Sequence, residues 1–575
     1  AGISTDDSEQ DALAKLDSHL CALKELQIRD GLHILGAAPI GDQRRDLLSA
    51  LVRLPRGDGK GRHASLQRTL AEAFGLNIDP LDCDYAQPWS GAKPAELMAV
   101  DEAPWRTAGD TVERLELFAL QLLAGAAISP DAATQLVLHE ATTHLDSLLD
   151  QSASNEIENL IRGLDGRFVA AGASGAPTRG RLDIFPTGRN FYGVDSRALP
   201  TPAAWTLGKK SAERLVQRYR QDHGKWPSAM LLSMWGTANM RTGGDDIAQA
   251  LALLGVQPTW DAKGSGRITG VELLPLSLLG RPRVDLTIRI SGFFRDAFPA
   301  QIELLDKAVK LAAAATDEPA AQNPIAKRVS EDIAMGADHA IAVRRVFGSM
   351  PGAYGAGLQA LIDEKGWSAQ EDLAKAYVAW SNFAYGGSAE GAADPQGFER
   401  RLASTEAVIH NQDNREHDIL DSDDYYQFEG GAAAAVKMAR GGEAAAIYHN
   451  DHSRPENPTP RSLREEMGRI VRGRAANPKW ISGVMRHGYK GAFEIAATVD
   501  YLFAFSATTD AVANQHYDAL FTAYVEDKAV QNFMANSNPA AQREMAARFL
   551  EAIDRGLWQP TRNTAYDTLT DILEG

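Results

Sequence analysis

Between residues 229 and 291 the side-chain pattern changes period twice, and this constrains the fold more than any other feature. Ala229 to Trp235 is a short apolar run that stops at Gly236. Asp245 to Leu254 then shows helical spacing behind an acidic first turn, where the helix dipole favours negative charge. Val284, Leu286, Ile288 and Ile290 alternate with Asp285, Thr287, Arg289 and Ser291, the two-residue period of a half-buried strand. Strand, helix, strand implies an α/β layer in the second quarter of the chain.

The flanking sequence has a different texture. Leu13, Leu16, Leu20 and Leu23 recur at helical steps behind Asp6-Asp7-Ser8, with Gly31 as a stop. The stretch Leu54 to Gly61 reads as an exposed loop. The fold expected is therefore mixed α/β and multidomain, with predominantly helical N- and C-terminal regions. Residues 1–160 read as mostly helical and 161–300 as an α/β domain with Arg/Gly loops. Residues 301–405 read as helical, and 406–575 as helical with acidic and His-containing loops. A chain of 575 residues is too long for one hydrophobic core.

Composition excludes several function classes. Fifty-nine basic against 76 acidic residues give −17, which disfavours a phosphate-tracking nucleic-acid binder. The two cysteines, Cys21 and Cys83, argue against a disulfide framework and fit a reducing compartment. The most apolar stretch, Leu115 to Ile128, carries Glu116 and Gln121 and is too short to span a bilayer. With no signal peptide at its start, the chain is expected to be cytoplasmic. Beginning at Ala1, it is expected to be a processed chain or a fragment of a longer protein.

Three segments hold concentrated chemistry. Glu406 to Glu429 has eight acids against one base, with His410, His417 and Tyr425-Tyr426 among them. A charge run is commonly a solvated face. Carboxylates as crowded as Asp421, Asp423 and Asp424 also repel, which lifts at least one toward neutrality or makes them share a cation. Tyr448-His449-Asn450-Asp451-His452 offers nitrogen and oxygen donors suited to a first-row metal. In an extended segment His449 and Asp451 share one face and His452 points away. The third segment, around His487, joins a titratable ring to Arg486 and Lys490. His139-Glu140-Ala141-Thr142-Thr143-His144 is one residue too long for a zincin motif.

Arginines gather against the overall charge: Arg179, Arg181, Arg189 and Arg197 among glycines and prolines, then Arg241 behind Trp235-Gly236. Guanidinium forks grip carboxylates through two oxygens, so these loops, with Tyr192, suit an anionic, flat, partly apolar ligand. The alternative is structural turns closed by Arg–Asp pairs. Phosphate-loop, dinucleotide and serine-hydrolase fingerprints are all missing, so nucleotide hydrolysis would fall to a partner.

Read together, several segments resemble the CobN-type large subunit of cobaltochelatases, a family related to the large H-type component of magnesium chelatase. The resemblance runs through Lys24–His33, Gly175–Thr201, Trp235–Leu251, Gly280–Ile302 and Phe347–Ile362. It continues through Asn411–Gly431, Tyr448–Pro455 and Asn477–Phe505, with Asn411-Gln412-Asp413-Asn414-Arg415-Glu416-His417-Asp418 the most specific run. It implies insertion of Co²⁺ into hydrogenobyrinic acid a,c-diamide, with ATP-Mg²⁺ bound by AAA+ partner subunits of CobS and CobT type. On this likeness His417, Asp421, Asp423 and Asp424 are expected to accept ring protons. His449, Asp451, His452 and His487 are the expected metal-handling set; Arg179, Arg189, Tyr192 and Arg241 are expected to hold the tetrapyrrole. Alternatives are the H-type component of a magnesium chelatase and a non-catalytic tetrapyrrole-binding scaffold. The family protein is roughly double this length and carries a His-Gly-Asn-Leu-Glu-Trp-like segment that this sequence lacks. The chain alone is therefore expected to be inactive.

Overall fold

The computed structural model describes Ala12, Leu16 and residues 32–191, 194–261 and 266–574. Tyr192, Cys21 and most of the helix expected over Leu13–Leu23 fall outside the described residues.

The chain forms two compact units. The first takes in residues up to 193 with the short stretches Ser453–Asn457 and Val471–His487. Its core is helical. Leu48, Leu51 and Val52 of Gly41–Arg53 pack with Leu66, Leu70, Leu115, Phe118 and Leu149. The apolar stretch Leu115–Ile128 forms the second half of the helix Ala108–Leu123 and the turn after it; the helix is started by a capping box between Thr107 and Asp110. The His139–His144 segment runs into a π turn, Glu140–Leu145, with both histidines exposed.

The second unit is built on an eight-stranded sheet. Its strands are β1 (Ala229–Met234), β2 (Asp285–Ile290), β3 (Val346–Gly348), β4 (Phe383–Gly386), β5 (Ala389–Ala393), β6 (Ala407–Gln412), β7 (Ala446–Asp451) and β8 (Thr459–Ser462). They lie in the order β8-β7-β6-β1-β2-β3-β4-β5. The central pairs β7/β6, β6/β1, β1/β2 and β2/β3 are parallel, and the outer pairs antiparallel. The mixed α/β class is as expected, but the sheet reaches well beyond the second quarter, into stretches whose sequence reads as helix.

β2 shows why. Its alternation is real, yet all six residues are buried rather than half of them. The polar side is sealed by partners: Asp285 takes Arg345 Nε at 2.6 Å, and Arg289 donates to Ser381 Oγ at 2.9 Å and the Gly355 carbonyl at 2.9 Å. Period two here separates two kinds of buried face, as expected of parallel strands covered on both sides.

Three helices flank these strands: α1 (Pro202–His223), α2 (Gly236–Thr242), which leaves the end of β1, and α3 (Asp245–Leu254), buried at all ten positions. From β1 the chain winds outward through β2 to β5, then returns to the other side of β1 as β6. The winding direction reverses between β1 and β6. In open α/β sheets the crevice beyond the carboxyl ends at such a reversal is where ligands bind.

Candidate functional site at the sheet reversal

Trp235, Asp413 and His452 are the first residues beyond β1, β6 and β7, and the unit's most unusual polar groups gather around them. Strand alternation sorts them onto two faces. On one, Asn411 donates to Asp246 Oδ1 at 2.8 Å and to Gln249 Oε1 at 2.7 Å, both on α3, and accepts from Asn450 at 2.9 Å. Burial pushes the Asp246 carboxyl up to about 7. Beyond the strand end, His452 Nε2 meets Ser211 Oγ of α1 at 2.7 Å.

The other face carries imidazoles. His410 of β6 and His449 of β7 are register partners, with rings stacked at 5.5 Å and 7°. Trp235 Nε1–H donates to His410 Nε2 at 3.2 Å. His449 Nδ1 meets Glu429 Oε2 at 3.0 Å. All three titratable groups are buried. Burial, and then the neighbouring charge of His449, depress His410 well below the ordinary imidazole value. Burial also works against a charge on His449, but Glu429's carboxylate and hydrogen bond outweigh it and raise the ring. The pair is therefore electrostatically unequal.

Glu429 comes from a π turn, Tyr426–Gly430, continuous with helix α4 (Gly431–Ala439). The preceding Phe428 packs on Trp235 at 4.2 Å and under the Arg289 guanidinium at 4.7 Å. Tyr425 Oη lies 2.7 Å from His417 Nδ1.

Among the proton-accepting candidates, Asp421 Oδ2 accepts the Asp418 N–H at 2.8 Å, closing a turn. Ser422 caps the helix that begins at Asp423, and Asp423 accepts from Gln427 at 2.8 Å. Asp424 is an exposed residue, but surrounding protein and then the Asp423 charge push its carboxyl up to about 6. Arg241 forms a two-pronged pair with Asp413, 2.9 Å at each oxygen.

The metal-handling set draws on both units. Asp451 is held by Arg415 at 2.9 Å and Arg461 at 3.1 Å. His452 faces α1, away from His449, and His487 lies in the first unit, accepting the Leu32 N–H at 2.9 Å. Among the described residues no group of three or more His, Cys, Asp or Glu is disposed to hold a metal ion. Arg179 and Arg189 also belong to the first unit. Arg179 ends a short 3₁₀ turn, half-buried. Arg189 donates to the carbonyls of Pro186 at 2.9 Å, Phe185 at 2.9 Å, Ile184 at 3.1 Å and Asp183 at 3.2 Å.

Sequence reasoning left out of its site set the two groups that complete the imidazole face, His410 and Glu429. The His410–His449 register gives no sequence signal, since it joins strands from separate segments. The signal for Glu429 is weak but present: a lone acid inside the apolar run Tyr425 to Ala435.

A doubly wound sheet with imidazoles and carboxylates at its reversal has the layout of a ligand-binding α/β protein. Comparison with known proteins narrows it: the CobN/Magnesium Chelatase family model matches residues 2–565. The chain belongs to the CobN/magnesium chelatase family. It is 58% identical to the aerobic cobaltochelatase subunit CobN of Sinorhizobium sp, over all of this chain and 47% of that protein. With the protein of the same name from Pseudomonas aeruginosa the identity is 52%, again over 47% of its length. The H-type magnesium-chelatase protein of Rhodobacter capsulatus is 34% identical over 96% of this chain and 43% of its own length. In structure, the catalytic subunit of cobaltochelatase from Mycobacterium tuberculosis superposes with a TM-score of 0.88 and 42% identity, covering 99% of this chain and 47% of that one. The chain thus spans about half the length of the relatives it matches.

Proposed function

We propose that this chain is part of the tetrapyrrole-binding, metal-inserting subunit of an ATP-dependent cobaltochelatase, placing Co²⁺ in hydrogenobyrinic acid a,c-diamide during aerobic cobalamin biosynthesis. The observation that carries the reading is the stacked His410–His449 pair, with Glu429, at the sheet reversal of a chain in this family.

Metal insertion needs a grip on a carboxylated macrocycle, a destination for ring N–H protons, and donors that replace water on the metal. Arg241, carried by α2 beside the reversal, suits the first. For the second, Asp424, lifted to about 6, holds or releases a proton near neutrality, and His417 precedes it in the same sequence window, hydrogen-bonded to Tyr425. For the third, His449 is the member of the sequence-derived set whose surroundings fit best: its far nitrogen is tied to a carboxylate, the arrangement that orients a metal-binding imidazole. Imidazole donors favour cobalt over magnesium, which prefers oxygen and water. ATP-Mg²⁺ belongs to AAA+ partners of CobS and CobT type, in the cytoplasm, and insertion requires the complete subunit.

The second reading, magnesium insertion by an H-type protein, is kept in view by the 34% identity to a relative of that kind. Equilibrium dialysis of the macrocycle against the full-length subunit, with a cobalt-insertion assay alongside its ATPase partners, tests the proposal. Binding with cobalt insertion is expected. Binding without insertion of any metal makes the subunit a scaffold, insertion of magnesium alone supports the second reading, and absence of binding overturns the reading altogether.

A further inference from the structure

We infer that Glu429 is a positioning residue that acts through His449, fixing the ring so that Nε2 is the one nitrogen through which a proton or metal is exchanged. The inference rests on the reading of this site as a chelatase site and deepens it.

Glu429 Oε2 lies 3.0 Å from His449 Nδ1, where a carboxylate oxygen accepts a hydrogen bond from the ring N–H. Whatever the ring gives or takes must pass through Nε2. That atom is buried and has no hydrogen-bond partner, which is rare for a polar atom removed from water. The second ring limits how His449 can turn. His410 lies parallel at 5.5 Å and is itself pinned by the Trp235 indole N–H at its Nε2. Its remaining nitrogen, Nδ1, is likewise buried without a partner. Two fixed imidazoles, each with one nitrogen unspent, sit side by side.

The backbone explains how the carboxylate gets there. A π turn widens the helix by one residue and is disfavoured unless something holds it; such turns recur at functional sites. Here it places successive residues on different tasks. Phe428 packs between Trp235 and Arg289, while Glu429, wholly buried, reaches His449 across the β6–β7 ladder. Glu429 Oε1 has no hydrogen-bond partner, so the buried carboxyl is not explained as a structural tie with both oxygens satisfied.

The test is a double-mutant cycle in the full-length subunit with its ATPase partners, using Glu429→Gln, His449→Gln and the combination. Gln keeps the volume and removes the obligate acceptor. Glu429→Gln is expected to lower kcat for cobalt insertion about 10- to 100-fold, the usual cost of losing the group behind a metal-site histidine. Macrocycle affinity should stay within about twofold, and Glu429→Asp should recover part of the rate. The double variant should be no slower than His449→Gln alone, because a positioning residue has nothing left to position. A fully active Glu429→Gln, or losses that multiply in the double variant, overturns the inference while leaving the chelatase reading intact. If the unmodified subunit neither binds macrocycle nor inserts metal, the reading beneath it fails instead. Should Glu429→Gln not fold, the inference is judged on Glu429→Asp: full activity at unchanged melting temperature counts against it.

Discussion

Arg189 and His449 both sit in sequence surroundings that suit ligand handling, and the structure spends them differently. Arg189 directs its guanidinium to four main-chain carbonyls within its own loop, from Asp183 to Pro186. The charge staples a turn. His449 has one nitrogen committed to Glu429 and the other unsatisfied in the interior. Gly–Pro–Arg loops and His–Asp strings look equally promising as text. What distinguishes them is whether bonding capacity remains after folding, and that depends on partners in space. Arg241 lies between the two cases: its partner Asp413 is 172 residues away, so the pair builds the reversal rather than closing a local turn.

The largest expected effect tests that middle case. Arg241→Met removes the two-pronged guanidinium contact from the mostly buried Asp413 carboxylate and should cost about 3–5 kcal/mol in urea unfolding of the chain. A change near zero would mean that the pair is spent no more productively than a surface salt bridge, and would move Arg241 to the side of Arg189. Next comes Arg189→Ala. It should lower stability by about 1–3 kcal/mol, the worth of hydrogen bonds from a charged group, with macrocycle titration of the full-length subunit unchanged. Weakened titration at unchanged stability would break the comparison and return the loop to ligand binding.

The imidazole pair predicts a pH signature. His410 is depressed, so the unfolded chain takes up its proton below about 6.5 while the folded one does not, and stability falls as the solution is acidified. His449 is raised, so its contribution is complete below about 6.5 and is lost as pH rises through its folded value. Each slope is at most about 1.4 kcal/mol per pH unit. His410→Gln should flatten the acid limb and His449→Gln the alkaline limb, read from urea midpoints between pH 5 and 9. Identical profiles in both variants would contradict the unequal pair. The smallest effect belongs to Asp424, raised to about 6. The wild type should lose stability relative to Asp424→Asn between pH 4 and 6, by under about 1 kcal/mol given that the residue is exposed.

Much of the fold is legible where one physical signal dominates. The apolar run of β1, the acidic start of α3 and the alternation of β2 each announce their element. β6 and β7 do not announce themselves. Their residues, Ala-Val-Ile-His-Asn-Gln and Ala-Ile-Tyr-His-Asn-Asp, place polar groups on both faces because both faces are buried against other polar groups. Without a solvent side there is no hydrophobic alternation to read. Composition does lead to the acidic window and to His449, since charge density and donor type survive in one dimension. It cannot place Glu429, which depends on a π turn with no sequence mark and on a register between strands about forty residues apart. Nor can it separate Asp451, whose Oδ2 takes both Arg415 and Arg461, from His449, whose Nε2 is buried without a hydrogen-bond partner.

A structure of the full-length subunit with the macrocycle bound tests the central claim most directly. The account predicts ring or side-chain atoms of the tetrapyrrole within about 4 Å of the Trp235, His410, Asp413 and His449 edge at the sheet reversal. A macrocycle seated elsewhere, with none of those four residues in contact, would contradict it.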